Sequence, residues 1–168
     1  MGLFESVSRI NRRFRKGKVM TVFVGADYRG FERKKSLLPF LTEKGYSVSD
    51  KGAYEYTEGD DFNDPAVAVA KEVRENPGSF GILICDSAHG VTAQANRFKG
   101  IRAAHCSSAE SAKLAREHDD ANVLCLSAHF LSDGEIQEIA TTFLGTDFLN
   151  LERRVRRINR LDEREDYD

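Results

Sequence analysis

The sequence predicts an α/β fold, a three-layer αβα sandwich of the Rossmann-like kind with a five-stranded parallel sheet between two layers of helices. Two observations predict it. Short β-branched and aromatic runs alternate along the chain with longer segments that have apolar residues at helical spacing. The run Phe80–Cys85 is apolar throughout, as is typical of a strand covered on both faces. A length of 168 residues suits one domain with its own core.

Each predicted element has its own signal. The strands are short runs rich in β-branched or aromatic residues, at 21–24, 46–48, 80–85, 101–104 and 122–126. The helices follow the 3.6-residue period, and several stop at glycine, proline or asparagine; they cover 31–44, 65–74, 91–98, 109–117, 135–144 and 151–161. We expect Pro39 to kink or shorten the first helix. We expect the flavodoxin-like strand order 2-1-3-4-5.

The composition divides the chain into three parts. Residues 20–160 form the α/β domain, and residues 161–168 form an acidic tail. Residues 1–19 combine apolar residues at helical spacing with a cluster of arginines and lysines, which describes a basic amphipathic extension. Such a segment lies on a membrane, docks on a partner or is merely frayed, and the sequence leaves these interpretations open. We predict that residues 1–19 are dispensable for the activity of the domain.

Composition also argues against several classes of protein. A formal net charge of −2 provides no general attraction to nucleic acid, and no apolar run approaches the roughly 20 residues of a membrane span. The three cysteines have no paired spacing, which favours a reducing compartment such as the cytoplasm over a disulfide framework. No tight His/Cys pair has metal-ligand spacing, which argues against a zinc site but leaves it open. No glycine-rich nucleotide loop is present, so dinucleotide and nucleoside triphosphate binding have no support.

The fold itself selects a candidate site. In the expected order, the first and third strands meet at the switch point, where ligands bind outside the carboxyl ends of the strands. The loops there are 25–30 and 85–90. Cys85 ends a buried strand in front of a helix, where backbone N–H groups lower a thiol pKa, so it is either a base or nucleophile or a small buried apolar residue. A cysteine-dependent phosphatase needs an arginine six residues later, but that residue is Val91.

Other polar residues carry a functional and a structural interpretation in the same way. Asp27 either caps a turn or orients a ligand hydroxyl. Three histidines are either solvated side chains or members of a site; they are His89, His118 and His129. In the last helix Arg153 and Arg157 share one face, which is either a solvated basic face or a phosphate clamp, because arginine binds phosphate oxygens bidentately.

Four segments taken together resemble ribose-5-phosphate isomerase B and its galactose-6-phosphate isomerase relatives. They read VGADYRGFE at 24–32, GILIC at 81–85, ANRFKGIRA at 95–103 and LAREHDDANV at 114–123. The resemblance runs from about residue 20 to about residue 158. It implies aldose–ketose isomerisation of a sugar phosphate, ribose 5-phosphate with ribulose 5-phosphate in the first instance, without metal or cofactor. It also implies a homodimer or tetramer in which each site draws on two subunits.

The resemblance assigns roles by position. Cys85 matches the base that moves a proton between C1 and C2, with Ser87 in the place of a threonine that offers a hydroxyl. His118 matches the histidine that opens the sugar ring, and Asp27 the aspartate beside it. The remaining substrate-binding positions include the anion-holding turn and the phosphate-binding arginines; they are Tyr28, Asp86, Ala88, His89, Gly90, Asn96, Asp119, His129, Arg153 and Arg157.

Several of these positions depart from the family pattern. Tyr28 stands for a histidine and His129 for an arginine, and Asp86, Ala88 and His89 replace glycines and an apolar residue in the anion-holding turn. A carboxylate at Asp86 opposes a developing negative charge unless it points away. The alternatives are therefore an isomerase of another sugar phosphate, a tetrose or hexose phosphate, or a non-catalytic sugar-phosphate-binding protein on the same fold.

Overall fold

The computed structural model describes residues 19–163 and confirms the three-layer αβα fold. The strands are β1 (Thr21–Ala26), β2 (Ser47–Asp50), β3 (Phe80–Cys85), β4 (Ala103–His105) and β5 (Val123–Ser127). The helices are α1 (Phe31–Glu43), α2 (Asn63–Glu75), α3 (His89–Ala95), α4 (Ala109–Asp119), α5 (Asp133–Gly145) and α6 (Glu152–Asn159). Residues 1–18 and 164–168, which hold nearly all of the predicted extension and most of the predicted tail, lie outside the described residues.

The five strands are parallel, but their order is β2-β1-β3-β5-β4, so the expected order of the last two strands is wrong. Every residue of β5 is buried, and β5 pairs with β3 over its whole length, with Cys85 opposite Ser127. The strand β4 has three residues, none of them buried, and therefore forms the edge. This exchange brings the carboxyl end of β5, and not that of β4, next to Cys85.

Two separate cores hold the sheet between its helices. One face packs against α1, α4 and α5, with Leu37, Ile84 and Phe143 fully buried. The other face packs against α2 and α3, where Leu83 and Val91 are fully buried. Burying each such side chain contributes roughly 1.5–3 kcal/mol, so the strand ends are held on a rigid layer.

The first helix extends from Phe31 to Glu43, close to the predicted 31–44, with Pro39 inside it, so Pro39 does not shorten it. Both Pro39 and Lys35, whose carbonyl has no helical N–H partner at position 39, are exposed, so this carbonyl is open to solvent. The longest helices between residues 19 and 163 have 13 residues, and none has the length and apolar character needed to span a bilayer.

Candidate active site

The turn after β3 builds the centre of the site. Cys85 is the last residue of the strand and is only 4% exposed. Ala88 has a φ of 69°, in the left-handed region, and this conformation curls the chain back before α3 begins. As a result, the backbone N–H groups of Val91, Ala88 and Ser87 point at the Cys85 sulfur. Successive N–H groups in such a turn form a concave surface that favours negative charge.

Burial nevertheless dominates the acidity of Cys85. Desolvation raises the pKa of the thiol above its usual 9.0, and the negative charge of Asp27 raises it further, while the three N–H groups lower it by less. The expected lowering of the Cys85 pKa by the turn is therefore wrong in sign. Burial at the strand end destabilises the thiolate more than the N–H groups of the turn stabilise it. Once formed, the thiolate is a correspondingly strong base.

Asp27 lies at the end of β1, beside Cys85. Its carboxylate is 6% exposed, and its Oδ1 accepts a hydrogen bond of 2.9 Å from the Gly30 N–H. Burial raises the pKa of Asp27, and Asp60 and Asp86 add to the rise, against the Gly30 N–H, which lowers it. A Cβ at position 30 would collide with the Ile84 carbonyl, so glycine is required for this loop to pack on β3.

Tyr28 forms one wall of the site. Its backbone N–H donates a hydrogen bond of 2.8 Å to Asp60, which lies on the long loop after β2. Its ring contacts Tyr56 edge to face at 6.2 Å, and the Arg29 guanidinium lies 5.2 Å from the ring centre. The position that departs from the family pattern therefore carries an aromatic surface with a cation above it.

The loop after β5 supports the turn from the other side. The N–H groups of Ala128 and His129 donate to the carbonyls of Cys85 and Asp86, at 2.9 and 3.0 Å. The exposed Asp86 carboxylate lies 3.6 Å from His129 Nδ1, so it has a partner outside the turn. The buried Ser127 hydroxyl also bonds to the Asp86 carbonyl. Sequence reasoning missed Ser127 because the expected strand order placed β4 beside β3.

A second histidine accompanies His89. His89 is the first residue of α3, and its ring lies edge to face against that of His105, the last residue of β4, with 5.3 Å between ring centres. Partial burial, and then the nearby His89, lower the pKa of His105. His105 has no signal in the sequence, because only the fold brings the end of the edge strand next to this helix. Gly90 follows and packs against the ring of Phe62.

The remaining predicted residues lie at the opposite, amino edge of the sheet. His118 is half-buried and Asp119 is exposed, both in the last turn of α4, which runs back to the start of β5. Asn96 follows α3, and its side chain is bonded in both directions to the backbone of Ala103. At about 3.3 Å per residue along β3, the two edges lie roughly 15–20 Å apart. One chain therefore does not bring these residues to Cys85.

Helix α6 also packs near this amino edge, where the preceding Leu149 donates to the carbonyl of Glu117. Arg153 and Arg157 are exposed. Arg154 is half-buried, and among residues 19–163 its Nε is a buried donor without a hydrogen-bond partner. It is a further candidate for holding an anion, which the helical spacing of the other two arginines did not single out.

Across the described part of the chain, no group of three or more His, Cys, Asp or Glu side chains is arranged to hold a metal ion. The chemistry available at the carboxyl edge is that of a buried thiol, a buried carboxylate, a serine hydroxyl and a set of inward-facing N–H groups.

The fold and this edge define a parallel α/β protein with a candidate small-ligand site at the switch point of its sheet. The chain belongs to the Ribose/Galactose Isomerase family, whose model matches residues 22–161. The resemblance seen in the sequence is thereby confirmed.

Individual relatives agree with this membership. The probable ribose-5-phosphate isomerase B of Mycoplasma pneumoniae is 40% identical over 127 residues, which cover 76% of this chain and 84% of the relative. The crystal structure of ribose-5-phosphate isomerase B from Mycoplasma genitalium with bound ribulose-5-phosphate is similar with a TM-score of 0.81 at 39% identity, covering 84% of this chain and 93% of that one. The Thermotoga maritima ribose 5-phosphate isomerase structure gives a TM-score of 0.82 at 36% identity, covering 86% and 99%.

Proposed function

We propose that this protein interconverts an aldose and a ketose phosphate, with ribose 5-phosphate and ribulose 5-phosphate as its substrate pair. The observation that carries the proposal is the buried Cys85 thiol at the switch point, faced by backbone N–H groups and flanked by Asp27. The ribulose-5-phosphate bound to the Mycoplasma genitalium relative supports the choice of sugar.

The residues suit a proton transfer through an enediolate. The Cys85 thiolate takes the proton from C2 of the open-chain aldose and returns it to C1, while the carbonyl and hydroxyl oxygens exchange a proton through the Ser87 hydroxyl. Once the Cys85 sulfur has taken the proton and is neutral, backbone N–H groups of the turn 87–90 hold the negative oxygen of the intermediate, as the resemblance implies. The hydrogen moves as a proton between neighbouring carbons and no net electrons are exchanged, so the reaction balances without a redox cofactor.

The separation of the two edges leads to the assembly we propose. Ring opening and phosphate binding fall to His118, Arg153 and Arg157, which lie a full strand length from Cys85 in their own chain. A homodimer, alone or within a tetramer, in which the amino edge of one copy covers the carboxyl edge of the other would unite the two sets. We place the active domain at residues 20–160 and the protein in the cytoplasm, which suits its three buried free cysteines.

A coupled isomerase assay over a panel of tetrose, pentose and hexose phosphates tests the function. We expect turnover of ribose 5-phosphate, and a loss of about a hundredfold to ten-thousandfold in Cys85→Ala. Cys106→Ala is the matched control, because Cys106 is also fully buried but packs in the other core. Equal turnover by Cys85→Ala and wild type would remove Cys85 as the base.

One observation favours a second candidate, a sugar-phosphate-binding protein without turnover. The Asp86 carboxylate adds negative charge near Asp27 and so opposes an anionic intermediate. Calorimetric binding of ribose 5-phosphate with no turnover of any member of the panel would support this alternative over the isomerase.

A further inference from the structure

Ser127 is a buried polar residue at the carboxyl edge of the sheet that the chemistry above does not use. It ends β5 directly opposite Cys85 and is 1% exposed. Its Oγ accepts a hydrogen bond of 3.1 Å from the Phe130 N–H, and its hydroxyl donates a shorter one of 2.6 Å to the Asp86 carbonyl. Because the Asp86 carbonyl can only accept, the Ser127 hydroxyl is the donor of this bond and its proton points at Asp86.

The Asp86 carbonyl belongs to the same peptide unit as the Ser87 N–H. That peptide bond is trans, so the carbonyl and the N–H point in opposite directions. Holding the Asp86 carbonyl toward β5 therefore turns the Ser87 N–H the other way, toward the Cys85 sulfur, where the turn already places it. The His129 N–H reinforces the same carbonyl at 3.0 Å.

We propose that Ser127 is a positioning residue, whose hydroxyl locks the Asp86–Ser87 peptide so that the Ser87 N–H faces the sulfur of Cys85. Ser127 does not touch the substrate and acts only through this peptide. The inference deepens the proposed function, since it matters for catalysis only if Cys85 is the base. The lock itself is a property of the folded chain and is measured without any sugar phosphate.

The experiment follows the alkylation of Cys85 by iodoacetamide across a pH series, with the modified cysteine located by peptide mass mapping. Ser127→Ala leaves the Asp86 carbonyl held by the His129 N–H alone. The Ser87 N–H is then oriented less firmly toward the thiolate, so the midpoint of the profile moves to higher pH. At a fixed pH below the midpoint, alkylation slows by roughly threefold or more. The midpoint is the readout, because a change in access to the sulfur alters the plateau instead.

Ser79→Ala is the matched control. Ser79 is also buried, and it directly precedes β3, the strand that ends at Cys85. Its hydroxyl donates a hydrogen bond of 2.7 Å to the carbonyl of Asn76. We expect its profile to match the wild type. Thermal unfolding of both variants measures the structural cost separately.

Ser127→Thr and Ser127→Val provide a second comparison, which serves also if Ser127→Ala fails to fold. The two side chains have the same shape and differ in the hydroxyl, so the threonine variant should keep the wild-type midpoint and the valine variant should not. The proposal is overturned if Ser127→Ala keeps the wild-type midpoint, if Ser79→Ala moves it equally, or if the threonine and valine variants coincide. An absence of isomerase turnover would contradict the proposed function and leave these midpoints unaffected.

Discussion

The two edges of the sheet carry polar residues of very different character. At the carboxyl edge, Cys85, Asp27 and Ser127 are each less than 10% exposed, and their partners come from the same chain. At the amino edge, Asp119 and Arg153 are exposed and His118 is half-buried. The first edge is organised by folding alone, whereas the second is open to solvent, as the proposed assembly requires.

A groove of about 690 Å³ lies at this amino edge, between the end of α3 and the residues that follow α6. Its walls include Asn96, Asp119 and Leu161. An open groove of this volume, far from the buried thiol, suits a surface that receives another molecule. The amino edge is therefore open where the carboxyl edge is closed.

The largest expected effect is complementation between the two edges. Cys85→Ala and His118→Ala should each be nearly inactive alone. Co-expressed with different affinity tags and purified as mixed dimers, they should recover activity, because one of the two sites in each mixed dimer joins an intact carboxyl edge to an intact amino edge. With one intact site out of two, the purified mixed dimer should give about half of the wild-type turnover per dimer. Continued inactivity of the mixed dimer would show that one site does not combine residues from two chains.

The next effect concerns phosphate binding on α6. Losing one charged hydrogen-bond partner costs roughly 1.5–3 kcal/mol, so Arg153→Ala or Arg157→Ala should raise KM for the sugar phosphate about tenfold to a hundredfold. Arg154→Ala tests whether its unpartnered Nε takes part as well. Arg156→Ala removes an exposed arginine of the same helix and should leave KM unchanged. If all four variants keep the wild-type KM, the arginines of α6 form a solvated basic face and do not bind the phosphate.

Charge burial at the carboxyl edge predicts a stability effect. The folded-state pKa of Asp27 lies above its usual 3.8, so the stabilisation from its protonated form is complete below pH 3.8 and is lost as the pH rises through the folded value. At pH 7, Asp27→Asn removes a buried charge and still accepts the Gly30 N–H, so Tm should rise by roughly 2–4 °C. The gain should shrink as the pH falls toward 4.

The exposed Asp119 provides the control from the other edge, since Asp119→Asn removes no buried charge and should leave Tm unchanged. A lower Tm for Asp27→Asn at pH 7 would mean that the carboxylate is needed in its ionised form.

The smallest expected effect is that of removing residues 1–19. The family model begins at residue 22 and β1 at Thr21, so a chain that starts at Met20 contains every element described above. Its kcat/KM should stay within about twofold of the full chain, with an unchanged assembly state by light scattering. A loss of solubility or activity would make the extension part of the fold or of a subunit contact.

Much of this molecule could be predicted because its signals are local. A continuous apolar run identified β3, and the position of Cys85 at its end followed directly. Strand order has no such local signal, since it depends on which strand the finished core buries more completely. The position of β5 beside β3, and with it the proposed role of Ser127, could therefore not be predicted from the sequence. The same holds for the pKa of Cys85, where the cost of burial exceeds the benefit of a turn that the sequence does reveal.

The alternation of side chains along β3 has a consequence for how this protein can evolve. Leu83 and Cys85 face the layer of α2 and α3, whereas Ile82 and Ile84 face the layer of α1, α4 and α5. A substitution whose side chain lies only in the second layer therefore changes no side chain that packs around the Cys85 sulfur. We expect stabilising substitutions to be accepted there, and their gain in stability to offset the cost of substitutions on the other face of the sheet.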